Sequence, residues 1–254
     1  MNQRLAVSLA TLLGWLLITL LGEQFGAGAH QALSETVSHG PGWPFVAAAA
    51  FVLAVVAWQR WRDIGLRDLP SARSLRLAWL PMVYIVGGFA LSASLGLAPA
   101  TVVLWVLVNT FLVGLSEELM FRGVLLQALR HTVSIWPAVA LTTLAFGAVH
   151  SLNVFITGDL RGALIQSTAA ALSGLFFIAL RLRTGSLWPS IVIHGLWDCA
   201  AFLVVMSSSK DLAANAAPAD AMSLAPILLV LPNALYGLWL MRHVSKLITT
   251  TENS

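Results

Sequence analysis

Eight stretches of this chain are predominantly apolar over 16 to 29 residues, and a helix needs about 20 apolar residues to cross a hydrocarbon core. They run over residues 5–22, 43–58, 77–97, 101–129, 135–156, 162–180, 187–206 and 224–241. In lipid every backbone amide must find its partner within the chain, which leaves helices or closed barrels. The runs lack the period-two alternation of barrel strands. The predicted fold is therefore an all-α, polytopic integral membrane protein of about eight transmembrane helices, one membrane domain over residues 1–254. Composition agrees. Only 10% of residues are charged and mean hydropathy is +0.84, whereas a soluble domain carries about 25% charged residues.

The basic residues orient the spans. With the N-terminus inside, Arg4, Arg60, Arg62, Arg67, Arg73, Arg76, Arg130, Arg181, Arg183, Arg242 and Lys246 all fall on the cytoplasmic side, and Arg161 and Lys210 fall outside. That positive-inside bias predicts an N-in, C-in, multi-pass protein of the cell membrane. It also accounts for the net charge of +3. No Arg/Lys stripe with interleaved aromatics is present, so nucleic acid is not an expected partner; the lipid bilayer is. The first span has a second reading. Arg4, the apolar run and Ala27-Gly28-Ala29 resemble a signal peptide with its cleavage site, although 18 residues is long for such a core. The loop 59–76 is expected to hold an interfacial amphipathic helix, and 207–223 reads as a polar exterior loop. The lone Cys199 excludes an intramolecular disulfide framework or a cysteine-rich zinc site.

Charged side chains inside membrane helices are costly and by default mark function. Here they are concentrated. The fourth span carries Glu117, Glu118 and Arg122, the fifth Phe146 and His150, and the seventh His194 and Asp198; the other five span interiors have no Asp, Glu, Lys, Arg or His. Residues four apart share a helix face, so Glu118 is expected to pair with Arg122 and His194 with Asp198. Glu117, turned about 100° from Glu118, is left to face a cavity. Counted from the cytoplasmic helix ends at about 1.5 Å per residue, Glu117, His150 and His194 can meet at one level. The expected level is the cytoplasmic half of the bilayer. One carboxylate with two imidazoles suits water activation. Glu117 and His150 would hold the water, His194 would donate to an oxyanion, Asp198 would orient His194, and Phe146 would wall the site. The same donors, Glu117, His150 and His194, are also ordinary zinc ligands, but no His-Glu-x-x-His is present.

Glu-Glu-x-x-x-Arg, Phe-x-x-x-His and His-x-x-x-Asp, in this order on successive apolar helices, resemble the CAAX-protease and bacteriocin-processing (Abi) family of intramembrane endopeptidases, over residues 101–206. The resemblance implies cleavage of a membrane-anchored or lipidated polypeptide. It implies Glu117 as base, His150 as its partner on the water, and His194 with the residue four on as oxyanion donors. The eukaryotic-type enzymes usually have Asn at that last position; Asp198 as a carboxylate cannot donate, hence its orienting role here. The family has been described both as glutamic-type and as metal-dependent. From another class, the buried Glu/His/Asp cluster also suits a proton-coupled transporter, and a non-catalytic immunity or scaffold protein would keep the same fold.

Overall fold

The computed structural model describes residues 2–26, 32–212, 224–242 and 244, and these residues are mostly helical with no strand among them. Ala27-Gly28-Ala29, most of the exterior loop at 213–223, and Lys246 lie outside the described residues. In chain order the helices are α1 (Gln3–Gly26), α2 (Leu33–Ser38), α3 (Trp43–Trp58), α4 (Trp79–Ser94), α5 (Ala100–Glu118), α6 (Leu126–Arg130), α7 (Ile135–Ser151), α8 (Val154–Thr157), α9 (Leu160–Thr184), α10 (Trp188–Leu212) and α11 (Ala225–Met241). A π-helical segment, Leu119–Leu125, joins α5 to α6 without a break. Among the described residues six helical runs are long and apolar enough to cross a membrane: Gln3–Gly22, Ser74–Ser94, Ala100–Arg130, Ile135–Thr157, Leu160–Thr184 and Trp188–Ser208. Trp43–Trp58 and Ala225–Met241 are shorter apolar helices. The protein is thus a multi-pass integral membrane protein. Leu13, Val83, Leu144, Leu164 and Leu228 are exposed on its flanks, as lipid-facing positions should be, while Glu118 and Arg122 are fully buried.

Glycines let three helix pairs approach closely. A Cβ on Gly147 of α7 would come within 2.8 Å of the Ala171 Cβ and 2.9 Å of the Ser167 carbonyl in α9. One on Gly114 of α5 would stand 3.0 Å from backbone atoms of Ile191 and Gly195 in α10, and Gly195 returns the contact at 3.0 Å from Phe111 Cα. Gly237 of α11 sits against the Phe176 backbone of α9, with 2.7 Å left for a Cβ. Small residues at such crossings replace hydrophobic driving force with close van der Waals contact. Ser92 serves α4 similarly: its hydroxyl meets Ser207 at 2.9 Å and the Leu203 carbonyl at 3.2 Å, both in α10.

Three expectations are corrected here. Residues 59–73 form no interfacial helix; they make turns that dock on the bundle, and only Ser74–Ala78 is helical, as a 3₁₀ turn. The docking bonds explain why. Arg181 donates to the Asp63 carbonyl at 2.8 Å, Leu187 N–H to the Gly65 carbonyl at 2.8 Å, and Trp188 Nε1–H to the Leu66 carbonyl at 2.9 Å. Gly65 holds φ +84, a conformation side chains disfavour, with Arg181 packed where its Cβ would be. Asp63 also pairs with Arg4 at 2.8 Å and with His131 at 3.4 Å, so the starts of α1 and α7 and the end of α9 share one end of the bundle. Secondly, α10 extends to Leu212 and takes in the first residues of the predicted exterior loop. Thirdly, α2 was not anticipated. It is only six residues long, and it is anchored at the opposite end from Asp63 by Asn109 of α5, which donates to the Val37 and Gly40 carbonyls and accepts from Gly42 N–H.

Candidate active site

The polar cluster assembles where α5, α7 and α10 meet. Glu118 Oε1 accepts from Arg122 Nη1 at 2.8 Å and from His194 Nδ1 at 2.9 Å. The Arg122 guanidinium lies 4.0 Å from the Phe146 ring centroid and 5.3 Å from that of Phe177. Aromatic faces thus take up the part of the cation that Glu118 does not reach. Gly174 leaves the room: a Cβ there would be 3.3 Å from Arg122 Nη2 and 3.5 Å from Phe146. Phe146 meets His150 edge-on at 4.7 Å, and Phe177 stacks on His194 at 4.9 Å. Both imidazoles are therefore fixed by aromatic contacts as well as by hydrogen bonds.

Glu117 points elsewhere, as its rotation from Glu118 requires. Its Oε2 lies 3.8 Å from His150 Nε2 and 3.7 Å from His194 Nε2, and it is buried without a hydrogen-bond partner among the described residues. Those separations exceed a direct hydrogen bond, and a water held beside the pair, on the cavity side, can reach both groups. His150 Nδ1 donates to the Phe146 carbonyl at 2.7 Å. A carbonyl only accepts, so in the neutral ring Nε2 carries the lone pair and faces Glu117. Asp198 Oδ2 stands 3.4 Å from His194 Nε2, which is the expected i,i+4 pair. The contact that orients the ring, however, is Glu118 at Nδ1. Intrahelical spacing could not show that bond, since it joins residues 76 apart.

A cavity of about 130 Å³ opens from this cluster, with Glu117, His150 and Asp198 at its floor. Trp15, Val113 and Phe202 line its walls, and Leu33 and Val37 of α2 close its far end. Among the polar lining residues, Asn153 donates to Gln166 at 2.8 Å. Sequence reasoning passed over Trp15, Asn109, Asn153 and Gln166. The one available signal was an amide in an otherwise apolar stretch. Trp197 packs against Tyr84 of α4 at 5.8 Å and is not among the cavity's lining residues. The cavity runs from Glu117 towards α2, away from the end that holds Asp63 and the basic loop.

Among the described residues no group of three or more His, Cys, Asp or Glu side chains is arranged to hold a metal ion; Glu117, His150 and His194, the donors that could serve zinc, lie 3.7 to 3.8 Å apart about the Glu117 carboxylate. One carboxylate and one imidazole facing each other at 3.8 Å on the cavity, with a second imidazole anchored beside them, suit polarisation of water and stabilisation of a nearby anion. No curated protein and no solved structure matches the chain. Residues 99–200, which contain every charged side chain of this cluster, match the family model described as type II CAAX prenyl endopeptidase, Rce1-like, and the resemblance carried by the three motifs is borne out over that segment.

Proposed function

We propose that the protein is an intramembrane endopeptidase that hydrolyses a peptide bond of a membrane-anchored or lipidated polypeptide with water activated by Glu117 and His150. The observation that carries this reading is the convergence of His150 Nε2 and His194 Nε2 on one oxygen of Glu117, at 3.8 and 3.7 Å. A water beside that pair, on the cavity side, donates one hydrogen to Glu117 and one to His150 Nε2, leaving an oxygen lone pair for the scissile carbonyl. As the C–O bond forms, Glu117 takes the proton. The oxyanion accepts from His194 Nε2–H. Carboxylate oxygens face both nitrogens of that ring, Glu118 at Nδ1 and Asp198 at Nε2, so the ring with N–H at both positions matches its acceptors. Collapse of the tetrahedral intermediate breaks the C–N bond, and Glu117 returns its proton to the leaving amine. Glu118 and Arg122 hold His194 in place, and Asp198 steadies its exposed edge.

The reading includes one membrane domain over residues 1–254 with its catalytic core at 101–206. It has eight spans, the six long ones completed by Trp43–Trp58 and Ala225–Met241, N-in and C-in in the cell membrane. The positive-inside distribution supports that topology. A transporter built on the same cluster would need a polar route to both faces. The packed apolar side chains of Met120, Phe121, Val124 and Leu125 beneath Glu117 favour hydrolysis over transport.

The test compares peptide termini in membranes that hold the wild type with those that hold Glu117→Gln. New termini that depend on Glu117 are the expected result and identify the substrate. Identical profiles, with both proteins equally inserted, would sink the protease reading.

A further inference from the structure

We infer that Asn153 and Gln166 hold one residue of the substrate's backbone, pairing with its N–H and C=O, so that the site takes an extended chain without proline at that place. This deepens the protease reading and rests on it. Asn153 follows His150 by one turn, and its N–H is bonded to the His150 carbonyl at 3.2 Å. One stretch of backbone therefore sets both the imidazole and the amide. Gln166 meets Asn153 from α9. The close crossing of Gly147 on Ser167 and Ala171 fixes the register of α7 against α9, and further along the chain that register brings Asn153 opposite Gln166. Asn153 Nδ2 donates to Gln166 Oε1 at 2.8 Å, and both side chains line the cavity that holds Glu117 and His150.

The bond uses only half of each amide. Asn153 stands at the cap position of the short helix α8, where an Asn oxygen ordinarily accepts from the first turn, yet it makes no such bond. Among the described residues Asn153 Oδ1 and Gln166 Nε2 have no further partner. Neither is a fully buried unpartnered atom, so both stay accessible beside the cavity. An amide oxygen and an amide N–H left over against apolar walls such as Val149, Ile156 and Val113 cost free energy until something pairs them. Exchanging the O and N of both amides leaves the same offer, one acceptor beside one donor. A peptide unit matches that offer. In an extended chain the N–H and C=O of one residue point to the same side, as they do across an antiparallel ladder. A purely structural pair would close on itself with two bonds or spend its oxygen on the α8 cap. Three residues of helix advance about 4.5 Å and one residue of extended chain about 3.3 Å, so the residue held lies about one or two places from the scissile bond. Proline there has no N–H to give, and other side chains are not read by this pair.

A backbone-ester scan tests this. Once the Glu117-dependent termini give the cleavage site, synthetic peptides spanning it are prepared, lipidated where the natural substrate is. In each, one peptide N–H is replaced by an ester oxygen, and the scissile bond stays an amide. The wild type in mixed micelles should lose about tenfold in kcat/KM at a single position near the scissile bond, chiefly through KM, as expected for one enclosed hydrogen bond. Asn153→Leu/Gln166→Leu replaces both partners by apolar groups of similar size, which is close to neutral for folding. It should keep the wild-type unfolding temperature, lose at least as much on the all-amide peptide, and show no further loss with the ester. A lowered unfolding temperature with the ester effect intact, or losses from variant and ester that multiply, would overturn the assignment. So would a scan of the wild type with no sensitive position, a result that needs no variant to fold. Absence of any Glu117-dependent cleavage would instead remove the protease reading, and this backbone site with it. Multiplying losses in an enzyme that does depend on Glu117 would remove the backbone site alone.

Discussion

Glu118 and His194 are joined at 2.9 Å between Oε1 and Nδ1, both side chains buried, and this bond fastens α10 to α5 at the level of the site. The same oxygen holds Arg122. Glu118 therefore acts on the fold and on the chemistry together, whereas its neighbour Glu117 acts on the cavity alone. The two carboxylates should separate in experiment. Glu118→Gln leaves a buried guanidinium without its anion, a loss of about 3–5 kcal/mol for a broken buried pair, and should lower the unfolding temperature in detergent along with activity. Glu117→Gln should keep the wild-type unfolding temperature and lose activity by about 10²–10⁴-fold, the range for a general base. Equal unfolding temperatures for the two variants would refute this division.

Arg122→Lys tests the aromatic side of the pair. An ammonium can reach Glu118 but cannot lay a planar cation over Phe146. The variant should be less stable than the wild type by about 1–2 kcal/mol, the range of a desolvated cation–π contact, as read from chemical unfolding in mixed micelles. Unchanged stability would mean that the stacking contributes nothing.

Gly147→Ala places a Cβ 2.8 Å from the Ala171 Cβ, which forces α7 away from α9. His150 is three residues further along the same helix and should move with it. Overpacking of this kind costs about 1–3 kcal/mol. Turnover should fall by at least tenfold while KM changes little, because His150 is a base partner and not a binding surface. Wild-type turnover in a stably folded variant would show that α7 does not set the His150 position.

Asp63 gives the basic end a pH response. Partial burial raises its carboxyl, but the hydrogen bond and charge of Arg4, together with His131, outweigh that and hold it below the ordinary value of 3.8. A group depressed in the folded state stabilises fully above its unfolded value and loses that contribution as pH falls through the folded one. Unfolding temperature should therefore drop more steeply below about pH 4 in the wild type than in Asp63→Asn. Superimposable acid limbs would remove Asp63 from the account.

If Glu117 and His150 activate the water by themselves, as proposed above, incubation with a strong chelator followed by gel filtration should leave the cleavage rate within twofold. Loss of activity that returns with added zinc would replace the side-chain water mechanism with a metal-bound one.

The chain announces its helices and its charged cluster because lipid makes each polar side chain conspicuous. Glu117, Glu118, Arg122, His150, His194 and Asp198 could all be named from spacing alone. What spacing within a helix cannot register is a partner on another one. The Glu118–His194 bond, the Asn109 anchor of α2 and the Asn153–Gln166 pair are all of that kind. Loop 59–73 misled for a related reason: its alternating Arg and apolar residues resemble an amphipathic surface helix, but Asp63, Gly65 and Leu66 find their backbone partners in α9 and α10. Ile64 is drawn into the core with them.

The π-helical stretch from Leu119 to Leu125 interrupts the i→i+4 ladder between Glu117 and the basic end of the bundle. Every residue in it is buried, from Leu119 through Arg122 to Leu125. The long fourth span is thus two rods on a common axis, coupled by a seam whose angular phase is its own. The upper rod aims Glu117 at the cavity, and the lower rod seats Gln127 and Arg130 at the basic end, each with its own angular setting.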